Sequence, residues 1–299
     1  MAGNQPQRFP SPLRYPGGKG KVANYIKLIL LQNDLVGCEY VEPYAGGASV
    51  ALSLLFEQYA DHVHINDLNR SVFMFWNVVL NKTDELCKLI RDAKIETLEW
   101  TRQRKVQMAS DPDELDLAFS TFYLNRTSRS GIIGGGMIGG KNQDGPWKLG
   151  ARFNRDDLIN RIEKIGRFRS RITLTGIDTA LYLRNNLGDI RSPFLYLDPP
   201  YYVKGEGLYE NFYVHADHEE VATLVSKLNV PWVVSYDGVP EIRKMYEGFT
   251  SISYGLRYSA GDRYLGTERM YFSHDVELPD VESPAGIPFK VINHFRANA

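Results

Sequence analysis

The sequence has few cysteines and no long apolar run. Its two cysteines, Cys38 and Cys87, belong to no Cys-x-x-Cys motif and to no cysteine–histidine cluster. This argues against a disulfide framework and against a zinc site, so we expect no metal cofactor. No apolar segment approaches the roughly 20 residues that cross a bilayer, and the polar start of the chain lacks an export signal. We therefore expect no membrane partner and a cytoplasmic location.

The chain also lacks the positive net charge that is common in nucleic-acid-binding proteins. Its formal net charge is −1, which taken alone argues against a phosphate-binding surface. The charge is uneven, however, because residues 101–171 contain fourteen lysines and arginines and only eight acidic residues. This local excess of six positive charges is compatible with phosphate contacts, and also with a basic, solvated helical surface.

The order of the apolar patterns predicts an α/β fold. A strand over 38–44, a Gly46-Gly47 turn, a helix over 48–58 and a second strand over 62–66 form a unit that is typical of a parallel sheet. In such sheets, ligands bind beyond the carboxyl ends of the strands. Further strands are predicted over 171–176, 194–198, 232–236, 250–254 and 269–273, with helices between most of them.

A long interruption divides the predicted sheet. The pattern is mainly helical from residue 71 to about 125, and residues 126–152 contain eight glycines among several basic residues. A loop of this length is typical of a functional segment or of a floppy surface insertion. We therefore expect a catalytic domain over 1–70 and 171–275, an inserted domain over 71–170 and an irregular C-terminal tail over 276–299.

The clearest chemical signal is the tetrapeptide Asp198-Pro199-Pro200-Tyr201, which directly follows an apolar strand. An amino group on a heteroaromatic ring is a poor nucleophile, because its lone pair is delocalised into the ring. A carboxylate and a main-chain carbonyl can accept hydrogen bonds from its two N–H groups and aim the lone pair at a methyl donor. Asp198 and the Pro199 carbonyl suit this role, the two prolines stiffen the loop, and Tyr201 offers a face for base stacking. The alternative is a proline-stiffened turn with no chemical role.

A second segment predicts a nucleoside site. The turn after the first strand contains Glu42-Pro43 and Gly46-Gly47, but it lacks the third glycine of a dinucleotide motif. This suits a ligand without pyrophosphate, such as S-adenosylmethionine (SAM). Asp67 ends the second strand, where a carboxylate can accept hydrogen bonds from ribose hydroxyls. This pair alone is equally compatible with NAD.

A third segment lies near the N-terminus, where Tyr15 and Lys19 flank paired glycines. The spacing of an ATP-binding loop is absent. Lys19 could instead bind the carboxylate of a SAM methionine, with Tyr15 near the sulfonium. A basic turn without a ligand is the alternative.

In this order, the segments resemble the Dam-type (D12 class) family of DNA adenine-N6 methyltransferases, from about residue 12 to residue 272. The resemblance implies a Rossmann-like, SAM-dependent methyltransferase sheet with an inserted, mainly helical target-recognition domain. It assigns SAM binding to Tyr15, Lys19, Asp67 and Asp198, and places Asp198 at the target amino group as well. It also places Ile177 and Asp178 near the SAM adenine.

The insert resembles the family's entry into a DNA-reading hairpin, with Asn125-Arg126 followed by Ser130-Gly131. The resemblance implies DNA contacts by Asn125, Arg126, Arg129 and Ser130, and the basic loop adds Lys141. The glycine-rich continuation over 132–136 departs from the best-known members, which leaves the target sequence open. The expected partners are double-stranded DNA and, if the protein belongs to a restriction–modification system, a cognate nuclease. The expected state is a monomer or a weak dimer.

The function expected from these residues is site-specific methyl transfer from SAM to N6 of adenine in duplex DNA, after base flipping. Cytosine-C5 methylation requires a Pro-Cys nucleophile, and neither cysteine follows a proline. Cytosine-N4 and protein-glutamine methylation face the same lone-pair problem, but related enzymes more often have Ser or Asn in place of Asp198. The sequence is also compatible with a catalytically weak or inactive DNA-binding protein of this fold and, by its nucleoside segment, with an NAD-dependent dehydrogenase.

Overall fold

A computed structural model describes residues 10–14, 19–203, 213–257 and 265–298, and a seven-stranded sheet lies at its centre. The strands are β1 (Cys38–Glu42), β2 (Ala60–Asn66), β3 (Ile172–Thr175), β4 (Pro193–Leu197), β5 (Trp232–Asp237), β6 (Thr250–Arg257) and β7 (Leu265–Phe272). They lie in the order β3-β2-β1-β4-β5-β7-β6. The strand β7 is antiparallel to β5 and β6, and the other neighbouring pairs are parallel. The predicted Rossmann-like α/β class is confirmed.

Helices cover both faces of this sheet. They are α1 (Ala23–Gln32), α2 (Ser49–Phe56), α3 (Arg70–Asn81), α4 (Thr83–Asp92), α5 (Thr97–Met108), α6 (Glu114–Thr127), α7 (Arg155–Arg167), α8 (Thr179–Asn185), α9 (His215–Val225), α10 (Pro240–Met245) and α11 (Phe289–Asn298). Successive strand residues belong to different core clusters: Tyr40 packs with α1 and α2, whereas Val41 packs with α8, α9 and α10. Because both faces are covered, β1 and β4 are apolar along most of their length.

The sheet reverses its winding direction at β1. This strand lies between β2 and β4, so the connections leave it on opposite sides. Its register pairs Val41 with Leu195, which brings the turn after β1 level with the loop after β4. A crevice is expected where such connections diverge.

The connection from β2 to β3 contains α3 to α7, within the predicted insert. Asn69 caps α3 by accepting hydrogen bonds from the backbone of Ser71 and Val72, and Asp113 caps α6 in the same way. Apolar side chains of this insert, such as Trp76 and Phe122, belong to the same core cluster as the sheet. The predicted domain boundaries at 71 and 170 stay a prediction.

The C-terminal segment corrects one expectation. Part of the tail expected to be irregular forms α11, which packs on α1. Ile292 is fully buried, Asn24 Nδ2 donates to the Ile287 carbonyl over 2.7 Å, and Gly286 N–H donates to the Lys21 carbonyl over 2.9 Å. The prolines and acidic residues of the tail obscure its short apolar periodicity. None of the helices within the described ranges is long and apolar enough to cross a membrane.

Candidate active site

A pocket opens at the carboxyl ends of β1, β2 and β4. Its lining includes Lys19, Gly47, Asp67, Asp198 and Pro200, which come from motifs far apart in the sequence. Asn125 and the turn over 131–134 supply another wall from the insert. Tyr15 lies outside the described residues. The structure thus joins three predicted segments and the insert at one place.

Two residues with a left-handed backbone conformation, close together in the sequence, bend the turn after β1. Gly46 has a φ of 47°, and Ala48, which precedes α2, has a φ of 46°. The Gly46 N–H donates to Asp67 Oδ2 over 2.7 Å, and its carbonyl accepts from Trp76 Nε1 over 2.8 Å. A left-handed alanine is strained by about 1–2 kcal/mol, so this turn is held by its surroundings. The bend makes the first residue of α2, Ser49, part of the pocket wall.

Asp67 is buried between backbone donors. Its Oδ2 accepts the hydrogen bond from Gly46, and its Oδ1 accepts from Asn69 N–H over 2.9 Å. Burial raises its pKa to about 6, against the effect of these two hydrogen bonds. Since each carboxylate oxygen has two acceptor positions, Asp67 can still accept hydrogen bonds from a ligand's hydroxyls.

Asp198 is held through one of its two oxygens. Lys19 Nζ lies 2.9 Å from Oδ1, and Ser235 Oγ donates to the same oxygen over 2.9 Å. Within the described residues, Oδ2 accepts no hydrogen bond. Burial raises the pKa of Asp198, and the positive charge of Lys19 opposes the rise. The side chain lines the pocket and is 23% exposed, so it can offer an acceptor to a bound group.

Lys19 has a different role from the expected one. Its ammonium contacts Asp198, Glu268 Oε2 at 3.0 Å and the Tyr201 hydroxyl at 3.0 Å. Burial lowers the pKa of Lys19, but the nearby acidic groups raise it well above its ordinary value. All three ammonium hydrogens thus have protein acceptors. Lys19 therefore fixes Asp198 through an ion pair, and its expected contact with a methionine carboxylate stays a prediction.

Glu268 and Ser235 escaped the sequence analysis. Glu268 is 1% exposed and accepts hydrogen bonds from the hydroxyls of Tyr201 and Tyr254. It lies on β7 opposite Asp237 of β5, and no local motif surrounds it. The one available signal was an acidic residue beside a predicted apolar strand. Lys19 therefore compensates two carboxylates, the buried one of Glu268 and the partly exposed one of Asp198.

Tyr201 does not present the open face expected for base stacking. The residue is 5% exposed, and its hydroxyl contacts Lys19 and Glu268. Pro200 instead lines the pocket. The loop beyond Tyr201 is held by Asp237, whose carboxylate accepts the N–H groups of Tyr202 over 3.1 Å and Val203 over 3.2 Å.

Glu42 is a buried carboxyl group at the pocket wall. Its Oε2 accepts from Ala51 N–H over 2.9 Å, near the start of α2. Burial raises its pKa to about 8, and the negative charge of Asp198 adds to the rise. Glu42 is therefore mostly protonated at neutral pH, and its hydrogen bond holds α2 against the end of β1.

The ends of β1, β2 and β3 are tied by Asn66. Its Nδ2 donates to the carbonyls of Pro43 over 3.1 Å and Ile177 over 2.9 Å, and its Oδ1 accepts from Ile177 N–H over 3.0 Å. Asp178 is exposed and caps α8 by accepting from Leu181 N–H over 3.1 Å. The pocket lining includes Pro43 and Thr179 but neither Ile177 nor Asp178. Their predicted contact with the SAM adenine stays a prediction.

Two of the predicted DNA contacts are buried. Asn125 is 3% exposed, accepts from Arg14 N–H over 2.7 Å, and donates to the carbonyls of Arg14 over 2.6 Å and Gly131 over 2.8 Å. Arg126 is 8% exposed and donates from Nε to the Pro12 carbonyl over 2.7 Å. Burial and neighbouring arginines lower its pKa to about 9. Both residues tie the N-terminal segment to the insert, and their burial argues against the direct contact with DNA expected of them.

The remaining predicted DNA contacts are accessible. Arg129 and Lys141 are exposed, and Ser130 is half-buried with a φ of 58°. Arg129 N–H donates to the Gly136 carbonyl over 2.8 Å and closes the turn. A Cβ on Gly131, whose φ is 79°, would lie 2.7 Å from the Arg14 carbonyl oxygen, so this position requires glycine.

Comparison with known proteins identifies a family and several more distant similarities. The model of the D12 class N6 adenine-specific DNA methyltransferase family matches residues 15–259. The type II methyltransferase M.MjaIII of Methanocaldococcus jannaschii is 24% identical over 203 residues, which are 63% of this chain and 68% of the relative.

Two solved structures are also similar. M. capricolum TrmK in complex with S-adenosyl-homocysteine has a TM-score of 0.36 and 7% identity, over 91% of this chain and 81% of that chain. A type I restriction-modification system methyltransferase subunit from Streptococcus thermophilus has a TM-score of 0.38 and 11% identity, over 96% of this chain and 54% of that one. The assignment of the chain therefore depends on the family match.

Proposed function

Because this chain belongs to the D12 class N6 adenine-specific DNA methyltransferase family, we propose that it transfers a methyl group from SAM to N6 of adenine in duplex DNA. One observation carries the proposal. Asp198 and Asp67 line the same pocket at the carboxyl ends of the sheet's parallel strands, and Lys19 and Ser235 fix one oxygen of Asp198.

The pocket is chemically suited to SAM. Asp67 and Asp198 line it, whereas the ammonium of Lys19 is already paired. Such a lining favours a ligand with a positively charged sulfonium. Asp67 would hold the ribose hydroxyls, and the Gly46-Gly47 turn would allow a close backbone approach. When bound, SAM supplies the electrophilic methyl group.

The chain's own contribution is to orient the target amino group. In this proposal, the free oxygen of Asp198 and the carbonyl of Pro199 accept its two N–H groups, which aims the nitrogen lone pair along one direction. Lys19 and Ser235 keep the carboxylate from rotating. Since such a pocket is out of reach for a stacked base, the adenine leaves the duplex to enter it.

We further propose that residues 71–170 form the target-recognition domain, with Arg129 and Lys141 contacting phosphates. Both side chains are exposed, and basic residues outnumber acidic ones in the segment around them. We further predict a cognate restriction nuclease as a partner, an oligomeric state no larger than a weak dimer, and a cytoplasmic location.

The test is a transfer assay with tritiated SAM and adenine-containing duplexes of varied sequence. We expect label on N6 of adenine, identified by chromatography of the digested DNA. Asp198→Ala should lower the transfer rate on the order of 10²–10³-fold or more, because it removes the oriented acceptor. Asp275→Ala, at an exposed position, is the matched control.

The position of the label separates the candidate activities. Label on cytosine N4 would replace the adenine assignment. A wild-type protein that binds DNA but transfers no label would instead be a binding protein of this fold.

A further inference from the structure

Trp147 is the tryptophan that the fold leaves in solvent. It is 65% exposed, whereas Trp76 and Trp232 are buried and Trp100 is half-buried. The exposed indole is not at a fraying terminus, because it lies within the insert between α6 and α7. Tryptophan is enriched at binding interfaces, because it combines a large apolar ring with a polar N–H group.

The turn that presents Trp147 is built to be rigid. Gln143 Nε2 donates to the carbonyls of Ile138 and Gly140, each over 2.7 Å, and its Oε1 accepts from Leu149 N–H over 2.8 Å. A Cβ on Gly139, whose φ is 82°, would lie 2.7 Å from the Trp147 carbonyl oxygen. Only glycine therefore permits this packing, and the backbone that carries Trp147 is held before any partner arrives.

This turn is also tied to the wall of the pocket. Ser128 pairs with Met137, and Ile138 N–H donates to the Thr127 carbonyl over 2.9 Å. The chain enclosed by these bonds includes the turn over 131–134, which lines the pocket. The position of Trp147 is thus coupled to the opening through which a substrate would enter.

Positive charge surrounds the indole. The guanidinium of Arg152 lies 5.7 Å from the centre of the Trp147 ring. Arg152, Lys141 and Lys148 are exposed, and Asp144 is the one acidic residue within 139–152. A flat aromatic group beside one cation, on a segment with two further exposed cations, is complementary to a nucleobase flanked by phosphates. An acidic protein surface would match the charge but would give the indole no stacking partner.

We propose that Trp147, Arg152 and Lys141 form a DNA-contact surface on the insert, in which the indole stacks on a nucleobase and the two cations contact phosphates. The inference rests on the proposed function for the identity of its partner. It adds a stacking residue that lies away from the Asp198 loop and outside every predicted DNA contact.

The full-length protein provides its own probe, because three of its four tryptophans are at least half-buried. Adding mixed-sequence duplex DNA should quench and saturate tryptophan emission in wild type. Trp147→Phe should abolish most of this change while the protein still binds. Trp147→Ala should weaken binding by roughly tenfold or more. Arg152→Gln should lower the slope of log affinity against log salt by about one.

Phe289→Ala is the matched control, since this aromatic side chain is also exposed and lies on α11. Its affinity for DNA should equal that of wild type. Melting temperatures of all variants should agree within a few degrees, because the altered side chains are exposed.

Each remaining outcome overturns the inference. If wild type methylates DNA and Trp147→Ala binds DNA as tightly as wild type does, this inference is wrong and the proposed function stands. The inference also fails if the substitution changes only self-association, measured by sedimentation, since the surface would then bind a second copy. A wild type that neither binds DNA nor transfers methyl groups would refute the proposed function as well.

Discussion

The ammonium of Lys19 lies between the carboxylates of Asp198 and Glu268, and this arrangement defines the chemistry of the pocket at the scale of single residues. Asp198 and Glu268 share one positive charge, while Tyr201 and Tyr254 donate their hydroxyl hydrogens to Glu268. Removing one member of a buried ion pair leaves an uncompensated charge and is strongly destabilising. A substitution that preserves shape, such as Asp198→Asn, is therefore a useful companion to the truncation of Asp198 to alanine.

Neutralising Glu268 should change the pH dependence of the reaction. Within the described residues, the groups that interact with the Asp198 carboxylate are Lys19, Glu42, Tyr196, Ser235, Tyr236 and Glu268. The negative charge of Glu268 raises the pKa of Asp198, so Glu268→Gln should lower it. The acidic limb of kcat/KM should then move to lower pH, and the rate at the optimum should fall about tenfold as a charged hydrogen bond is lost.

Tyr254→Phe is the control for this measurement. It removes a hydrogen bond to Glu268, 2.8 Å long, without changing a charge, so the acidic limb should stay in place. An acidic limb that moves to higher pH, or that does not move in Glu268→Gln, would contradict the described electrostatics. A purely structural role of Glu268 would lower the melting temperature without moving the limb.

At the scale of elements, the sequence of α6 does not separate an apolar face from a polar face. Every residue from Leu117 to Thr127 is buried, so an amphipathic pattern is absent. The burial of Asn125 and Arg126 was not foreseen for this reason, since a basic or polar residue on such a helix gives no sign of pointing inward. The boundaries of the predicted strands, by contrast, followed from apolar spacing and agree with the structure within a few residues.

Asn125 should contribute to stability rather than to DNA affinity. Asn125→Ala removes the amide that satisfies the backbone of Arg14 and the carbonyl of Gly131. We expect the free energy of unfolding in urea to fall by about 2 kcal/mol or more, because buried backbone groups lose their partners. Asn125→Asp should be at least as destabilising, since it places a second acceptor against two carbonyls.

The exposed residue Asn81 at the end of α3 offers a control. Asn81→Ala should change the free energy of unfolding by less than about 0.5 kcal/mol. If Asn125→Asp unfolds at the same urea concentration as wild type, the described link between the N-terminal segment and the insert is wrong.

At the scale of the whole molecule, the C-terminal segment completes the core. Ile292 of α11 is fully buried in the cluster that also contains α1 and the sheet. Ile292→Ala should lower the free energy of unfolding by about 2–4 kcal/mol, through lost burial and a cavity. Asn293→Ala, at an exposed position of the same helix, should have little effect, and equal denaturation midpoints for the two variants would show that α11 is not part of the core.

What the sequence alone determined was local or ordered along the chain. The alternation of strands and helices predicted the α/β class, because periodicity depends on neighbouring residues. The tetrapeptide from Asp198 to Tyr201 and the acid Asp67 marked the pocket, because each directly follows a strand and parallel strands present their carboxyl ends at one edge.

Only the tertiary structure decided which side chains meet across the sheet. Glu268 reaches Lys19 because β7 inserts between β5 and β6 in an antiparallel direction, and no spacing in the sequence encodes that register. The same contacts make Lys19 a support of Asp198 and bury Tyr201, whose ring was expected to be open for base stacking. Burial is a property of the assembled fold. It therefore decided the contacts of these residues, although their motifs are recognisable in the sequence.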